Sequence, residues 1–364
     1  ALGSGGGATG LGTPNAVNTG MEVRIPIAAI GYSGTGPIKI SAFVSDGGVG
    51  SCSNQWLGGL PPNTGNLGSP AGVDLTAAPA FNNNQFVTIT PSVLASAPVI
   101  DGLRDAGYGG TIASPDPRLQ TCYTGYGKSN HNQIVRGGPG TQDGSELDNI
   151  YVGINGGFLY IHFGGNLEAN GNRLNIFIDS DNNAATGQNQ ITGGALRAAA
   201  AVPAEGAFPL NNMGAGGNGP GLKFDAGFGP DYFISINGSD LDASVEVENN
   251  VIFTDFSSLP TSGGGNFFFV GNTGYGVAGG TAPTGGDPGS PDIRVSVNNS
   301  NTAGVAGELV GSSAAAPNVD FAFGSEIDAV YGRIEGGRLY LLVTGNIERN
   351  FNALCLFFDV APGG

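Results

Sequence analysis

The alternation of apolar and polar positions is written twice in this chain. Residues 144–179 read GSELDNIYVGINGGFLYIHFGGNLEANGNRLNIFID, and residues 324–359 read GSEIDAVYGRIEGGRLYLLVTGNIERNFNALCLFFD. The copies align without a gap, and half of their positions are identical. An internal repeat of this kind bears on architecture before any other signal. In the first copy Ile150, Val152 and Ile154 alternate with Tyr151 and Gly153. The run then meets Gly156-Gly157, and its counterpart meets Gly336-Gly337. Glycine takes positive φ without a steric penalty, so each pattern predicts a hairpin. Residues 158–163 and 339–343 are the return strands. Residues 174–178 (LNIFI) and 354–358 (LCLFF) are near-continuous apolar runs that end in Asp179 and Asp359, as in a strand buried on both faces. Each copy therefore reads as the opening meander of a β domain.

The rest of the chain is a series of short apolar runs between turn residues. Residues 21–27 (MEVRIPI) put Val23, Ile25 and Ile27 on one side and Glu22 and Arg24 on the other. Pro26 cannot donate to a ladder and belongs at an edge or a strand end. Further strands are predicted at 37–44, 85–90, 223–226, 232–236, 244–247, 251–254, 267–270 and 293–297, with one short helix at 195–201. Residues 45–80 read as a long loop carrying the only tryptophan, Trp56. Loops of that length are uncommon and are usually functional or packed by their own side chains.

Composition sharpens this into an all-β protein. Glycine supplies 67 of 364 residues, well above the usual share of roughly 7%. Charged residues are 12%, about half the usual quarter. With 40% hydrophobic residues the chain can build a core, which excludes disorder, and no Gly-X-Y period points to collagen. The expected fold is antiparallel β-sandwich, jelly-roll-like. Residues 1–92 read as the closing part of a sandwich, 98–300 as the main domain, 301–320 as a linker and 321–364 as the opening meander of a further domain. The start without Met predicts a processed chain or a fragment, and the second copy opens a domain that the following residues do not complete.

The formal charge of −16 repels nucleic acid and anionic membrane surfaces, and no basic patch offsets it. No apolar run approaches the roughly 20 residues that span a bilayer. Low Lys and Cys with abundant Gly, Asn and Thr predict a secreted, extracellular or cell-surface location. Three cysteines allow at most one intramolecular pair. Cys52 and Cys122 lie in polar loops and are the candidates, while Cys355 falls in a buried-strand pattern. Asn237 and Asn298 open Asn-X-Ser sequons.

Several motifs resemble a known family. VIDG at 99–102, the GGxLYxxxxGNxExN of each repeat, the DSDN after the apolar strand, and FDAGFGPDYFISI at 224–236 resemble secreted bacterial β-sandwich domains. Those domains occur in tandem on large surface proteins of planctomycete or PEP-CTERM type. The family closes its domain with segments that match residues 19–31 and 53–68 here, so the order is permuted. The IP-containing strand also resembles family 9 carbohydrate-binding and DOMON-like sandwiches. The resemblance implies architecture and surface location more than activity.

Permutation predicts assembly. The closing strands can serve their own chain or a neighbour's, so Met21, Val23, Ile25, Ile27, Leu354, Leu356 and Phe358 are the candidate assembly residues, and copies of this chain are the expected partners. The expected function is a structural subunit of an extracellular filament or surface layer, without catalysis. The alternative is a carbohydrate-binding module in which Trp56, Tyr123 and Tyr126 stack on surface glycans. Asp179, Asp181 and Asn183 lie in DSDNNAATG, whose alternating oxygens suit calcium, although an Asx-rich turn forms without metal. No GxSxG, HExxH, P-loop or CxxC occurs. His131 and His162 are the only histidines, and the second repeat has Leu342 where the first has His162. Glu168 and Glu348 recur one per repeat, which favours turn-holding over paired-acid chemistry.

Overall fold

The computed structural model describes residues 18–57, 66–77, 85–108, 145–167, 171–192, 209–214, 219–240, 250–261, 265–274, 284–298, 326–335 and 338–346. They are nearly all β. In chain order the strands are β1 (Gly20–Pro26), β2 (Ile38–Ser45), β3 (Cys52–Trp56), β4 (Val87–Ile89), β5 (Ser92–Val93), β6 (Glu146–Asn155), β7 (Phe158–Asn166), β8 (Arg173–Asp179), β9 (Tyr232–Asp240), β10 (Asn250–Ser258), β11 (Phe267–Gly274), β12 (Arg294–Val297), β13 (Glu326–Glu335) and β14 (Arg338–Asn346). One helix, α1 (Pro209–Met213), is a little over a turn long.

Two sheets form a sandwich. The first has the order β12-β1-β7-β6-β5, and the second runs β11-β10-β9-β8-β2-β3 with β4 beside β2. β3 and β4 share one edge of β2, β4 at Ile38–Ile40 and β3 at Phe43 and Ser45. The β5–β6 pair is parallel, and the other strand pairs of the described residues are antiparallel. Period two then decides what each strand buries. Val23, Ile25, Val152, Leu159 and Ile161 of the first sheet meet Ile38, Ile40, Leu174, Ile176, Ile178, Ile234 and Ile236 of the second in one core.

Both outer faces are also covered. Phe43, Phe177 and Phe233 leave the second sheet on its far side and pack under Leu75, Ile191, Leu210, Phe224 and Phe228. That explains the near-continuous apolar run of β8, every residue of which is buried. Arg173 is tolerated there because its guanidinium lies 3.2 Å from the buried Asp255 carboxylate and donates to the Gly47 carbonyl at 2.7 Å. On the far side of the first sheet, Leu94, Ile100 and Tyr108 pack on Tyr151 and Tyr160.

The first sheet closes through β1. This strand pairs with β7 from Gly20↔Gly164 to Pro26↔Phe158 and with β12 from Met21↔Val297 to Arg24↔Arg294. Residues near the start of the chain thus join the 98–300 region within one chain. Pro26 ends the strand as its missing N–H requires, and a 3₁₀ turn at Ile27–Ile30 follows, stopped by Gly31 at φ 57°.

The repeat is visible as two hairpins with one geometry. β6–β7 and β13–β14 carry the same register and the same irregularity, between Leu147 and Asn149 in one and Ile327 and Ala329 in the other. At this point Asn149 faces Gly164, and Ala329 faces Thr344. The large and small members of the pair have changed strands.

Some local readings differ. The expected loop at 45–80 contains β3, in which Cys52 and Trp56 are buried. The expected strand at 223–226 is reduced to isolated bridges from Lys223 to Asp74 and Gln190. Its neighbours Leu222 and Phe224 are spent on the aromatic layer instead of a ladder. The helix expected at 195–201 and the strand expected at 244–247 lie outside the described residues.

Gly20 is the tightest point of the closing strand. A Cβ there would lie 1.9 Å from the Phe163 carbonyl oxygen, which is backbone and cannot move aside. Gly20→Ala is expected to lower unfolding free energy by about 3 kcal/mol or more, measured by urea denaturation; an unchanged midpoint would contradict this packing.

Candidate functional site

The DSDN turn follows directly from β8. Asp179 is the last residue of that strand and pairs with Lys39 of β2. Strand pairing therefore places a lysine beside the aspartate. Lys39 Nζ lies 3.1 Å from Asp179 Oδ2 and donates to the Gly227 carbonyl at 2.7 Å. The chain then turns through Asn182, which holds φ at 58°, a conformation that asparagine tolerates better than most residues. The Asn183 amide donates to Asp179 Oδ1 and to Asp181 Oδ1, each at 2.9 Å. Thr186 Oγ1 donates to Asp181 Oδ1 at 3.0 Å.

A third acid comes from elsewhere in the chain. Asp231, just before β9, accepts from the Ser180 amide at 2.9 Å and from Ser180 Oγ at 3.1 Å. Asp179, Asp181 and Asp231 each bring a carboxylate oxygen to within 4.8 Å of the others, and could together hold a metal ion. Asp179 is buried, Asp231 half-buried and Asp181 exposed. Burial raises the Asp179 carboxyl above its ordinary value, against the lowering pull of Lys39. Burial raises Asp231 too, against the Ser180 amide and with Asp181 adding repulsion. Three crowded carboxylates favour a divalent cation, while the Lys39 ammonium already offsets one of the charges.

The expected ligand Asn183 takes a different part. Its backbone amide donates to the acids, and its side-chain oxygen accepts from the Ala185 amide at 3.2 Å. This is the Asx geometry that stands without metal. Asp231 was not legible as a member, because only the β8–β9 pairing brings it 52 positions back along the chain.

The structure places the other candidates as follows. Met21, Val23 and Ile25 are fully buried in the chain's own core, and Ile27 is half-buried beside it. Trp56, expected as a sugar platform, is 1% exposed. Its ring stacks on Phe43 at 4.2 Å, and Nε1 donates to Ser41 Oγ at 3.0 Å. An enclosed ring offers no face to a sugar, so the reading of Trp56 as a glycan contact is corrected to a packing role. Among the described residues Cys52 is a buried free thiol, pushed up to about 12 by burial. Cys122, Tyr123, Tyr126, His131, Leu354, Leu356 and Phe358 lie outside the described residues.

Of the sequons, Asn237 is buried in β9 with Nδ2 donating to the Gly171 carbonyl at 3.0 Å, so its amide is committed to the fold. Asn298 is half-buried just after β12. Among the described residues no helix is long and apolar enough to cross a membrane.

A second polar cluster was not anticipated. Glu22, expected to face outward, and His162 are both fully buried on the outer face of the first sheet, next to Tyr108 and Tyr151. No family model, curated protein or solved structure matches the chain.

Lys39→Met removes the ammonium from a buried carboxylate. It is expected to destabilise the metal-free protein by about 1–3 kcal/mol, read from urea unfolding in EDTA. Wild-type stability in that variant would contradict the pairing.

Proposed function

We propose that this chain is a structural module of an extracellular filament or surface layer, assembled by β-strand complementation between copies and without catalysis. The observation that supports it most is the closure of β7 by β1. A strand more than a hundred positions away in sequence completes the β6–β7 hairpin, and it does so through backbone pairing and three buried apolar side chains. The same strand supplied by a neighbouring copy would make the same bonds. Repeated head to tail, such a contact is heterologous and extends along an axis. β13–β14 repeats the acceptor hairpin in register and bulge, and among the described residues it pairs with no further strand. It offers a second edge of the same kind. An open edge of this kind pairs with whatever strand is supplied.

Calcium is the ion we assign to the Asp179, Asp181 and Asp231 cluster. All three ligands are oxygens, which hard cations prefer; Asp179 and Asp181 come from the turn after β8 and Asp231 from the start of β9. Its role is to fasten the β8 end to the start of β9.

Two experiments test these readings. Light scattering with negative-stain electron microscopy of the full chain is expected to give concentration-dependent ordered polymers; a monodisperse monomer at all concentrations would contradict assembly. Adding calcium at neutral pH is expected to raise Tm. Saturation at 100 times Kd corresponds to about 2.7 kcal/mol. The gain should be larger in Lys39→Met than in wild type, since the competing ammonium is gone. An equal Tm with and without calcium in both proteins would remove the ion from the account.

A further inference from the structure

Glu22 stands between Met21 and Val23 on β1, so its side chain leaves the sandwich core for the outer face of the first sheet. It is buried there because residues 94–108 cross that face. The strap is fastened at both ends. The Leu94 amide donates to the Ile154 carbonyl at 2.9 Å, and the Leu94 side chain fills the space over Gly153, where a Cβ would lie 2.4 Å from it. At the other end the Gly20 amide donates to the Gly102 carbonyl at 2.9 Å, and the Arg104 amide donates to the Asn18 carbonyl at 2.8 Å. Between these points the strap converges on Glu22. The Asp101 and Gly102 amides donate to Oε2 at 3.1 and 3.2 Å, and the Tyr108 hydroxyl donates to Oε1 at 2.7 Å.

The surroundings are buried and aromatic. His162 faces Glu22 across the β1–β7 pair and Tyr151 across the β6–β7 pair. Among the described residues neither of its ring nitrogens has a hydrogen-bond partner, and the Tyr108 and Tyr151 rings lie 6.2 and 6.1 Å away. The titratable and charged groups around Glu22 come from five elements. The strap brings Asp101, Arg104, Asp105 and Tyr108; β6 brings Tyr151; β7 brings Tyr160 and His162; β1 brings Arg24; β12 brings Arg294. Arg104 lies over the Tyr151 ring and donates to its hydroxyl, while Arg24 and Arg294 both reach Asp292. Asp101 Oδ1 accepts from the Leu103 amide and Asp105 Oδ2 from the Val99 amide, which holds the strap's own turn.

We propose that residues 94–108 form a proton-operated clamp on β1, latched while the Glu22 carboxyl is neutral and released when it ionises. Opening the strap brings the carboxylate to water, so ionisation and opening are linked. Burial raises Glu22 to about 8 against its three hydrogen bonds, so the closed strap is favoured most below the ordinary value of 4.5 and loses that advantage as pH rises through about 8. His162 has the opposite sign. Burial lowers it to about 3, so its contribution is complete above 6.5 and is lost as pH falls towards 3. The two slopes cancel where the ranges overlap, so the clamp is tightest from the ordinary Glu value of 4.5 to the ordinary His value of 6.5. Its consequence for polymerisation rests on the strand-complementation reading, because the strand that the clamp holds is the strand to be exchanged. The clamp itself does not depend on that reading.

Hydrogen exchange of the full chain, followed by mass spectrometry at pH 6.5 and pH 9 and corrected for intrinsic rates, tests the proposal. Protection of amides in 94–108 is expected to fall on the order of tenfold in wild type and to stay flat in Glu22→Gln, whose one acceptor oxygen and one donor nitrogen stand in for the neutral carboxyl without its ionisation. Flat protection in wild type, or a parallel fall in Glu22→Gln, would overturn it. His162→Leu, the residue found at position 342 of the other repeat, is expected to keep the alkaline step; its loss there would also overturn the clamp. Light scattering on the same samples separates the two ideas. Strap opening without a change in assembly would count against strand exchange alone, and faster assembly on opening would support both.

Discussion

The sandwich rests on one long-range strand. β1 fills the gap between β7 and β12, pairing with both, and sends Met21, Val23 and Ile25 into the core. Among the described residues, without it β12 has no neighbour in its sheet and β7 has an open edge. Backbone pairing of this kind satisfies groups that would otherwise be buried unpaired, so the strand's register is set by the whole interior. Gly20 shows how close the fit is, since its hydrogen atoms occupy space that no other side chain could enter. The outer strap then fixes the same strand from outside through Glu22 and the Gly20 amide.

The two repeats share a backbone and differ at the positions where the rest of the fold touches it. The exchange of Asn149 and Gly164 for Ala329 and Thr344 keeps one bulky and one small residue at the irregular pair. In the first hairpin the Asn149 side-chain oxygen accepts from the Gly164 amide at 3.2 Å, so the pair also carries a hydrogen bond. Gly153 makes room for Leu94, whereas the second copy has Arg333 at that position. His162, under the strap, is replaced by Leu342. The hairpin backbone is thus shared, while the residues that meet the strap, Gly153 and His162, are particular to the first copy.

Much of this was legible in the sequence where period and turn chemistry agree. The Gly156-Gly157 turn, with φ of 57° and 84°, and the two-sided burial of β8 follow from residue pattern alone. What escaped depends on distant chain segments. Trp56 reads as a loop aromatic until β3 pairs with β2 and lays it on Phe43. Asp231 becomes a neighbour of Asp179 only through the β8–β9 ladder. Glu22 follows the outward phase expected of it and is buried all the same, because alternation reports which face a side chain leaves by and not what covers that face.

In the proposed assembly one strand pairing both closes the domain and joins copies. Paired cysteines read it directly, because Arg24 of β1 and Tyr160 of β7 are register partners. Chains carrying Arg24→Cys alone are mixed with chains carrying Tyr160→Cys alone, allowed to assemble, oxidised and run under denaturing, non-reducing conditions. Disulfide-linked dimers between the two variants are expected, through strands exchanged across copies. If the mixture stays unlinked while the double variant closes within a single chain, β1 serves only its own domain and the assembly account is wrong.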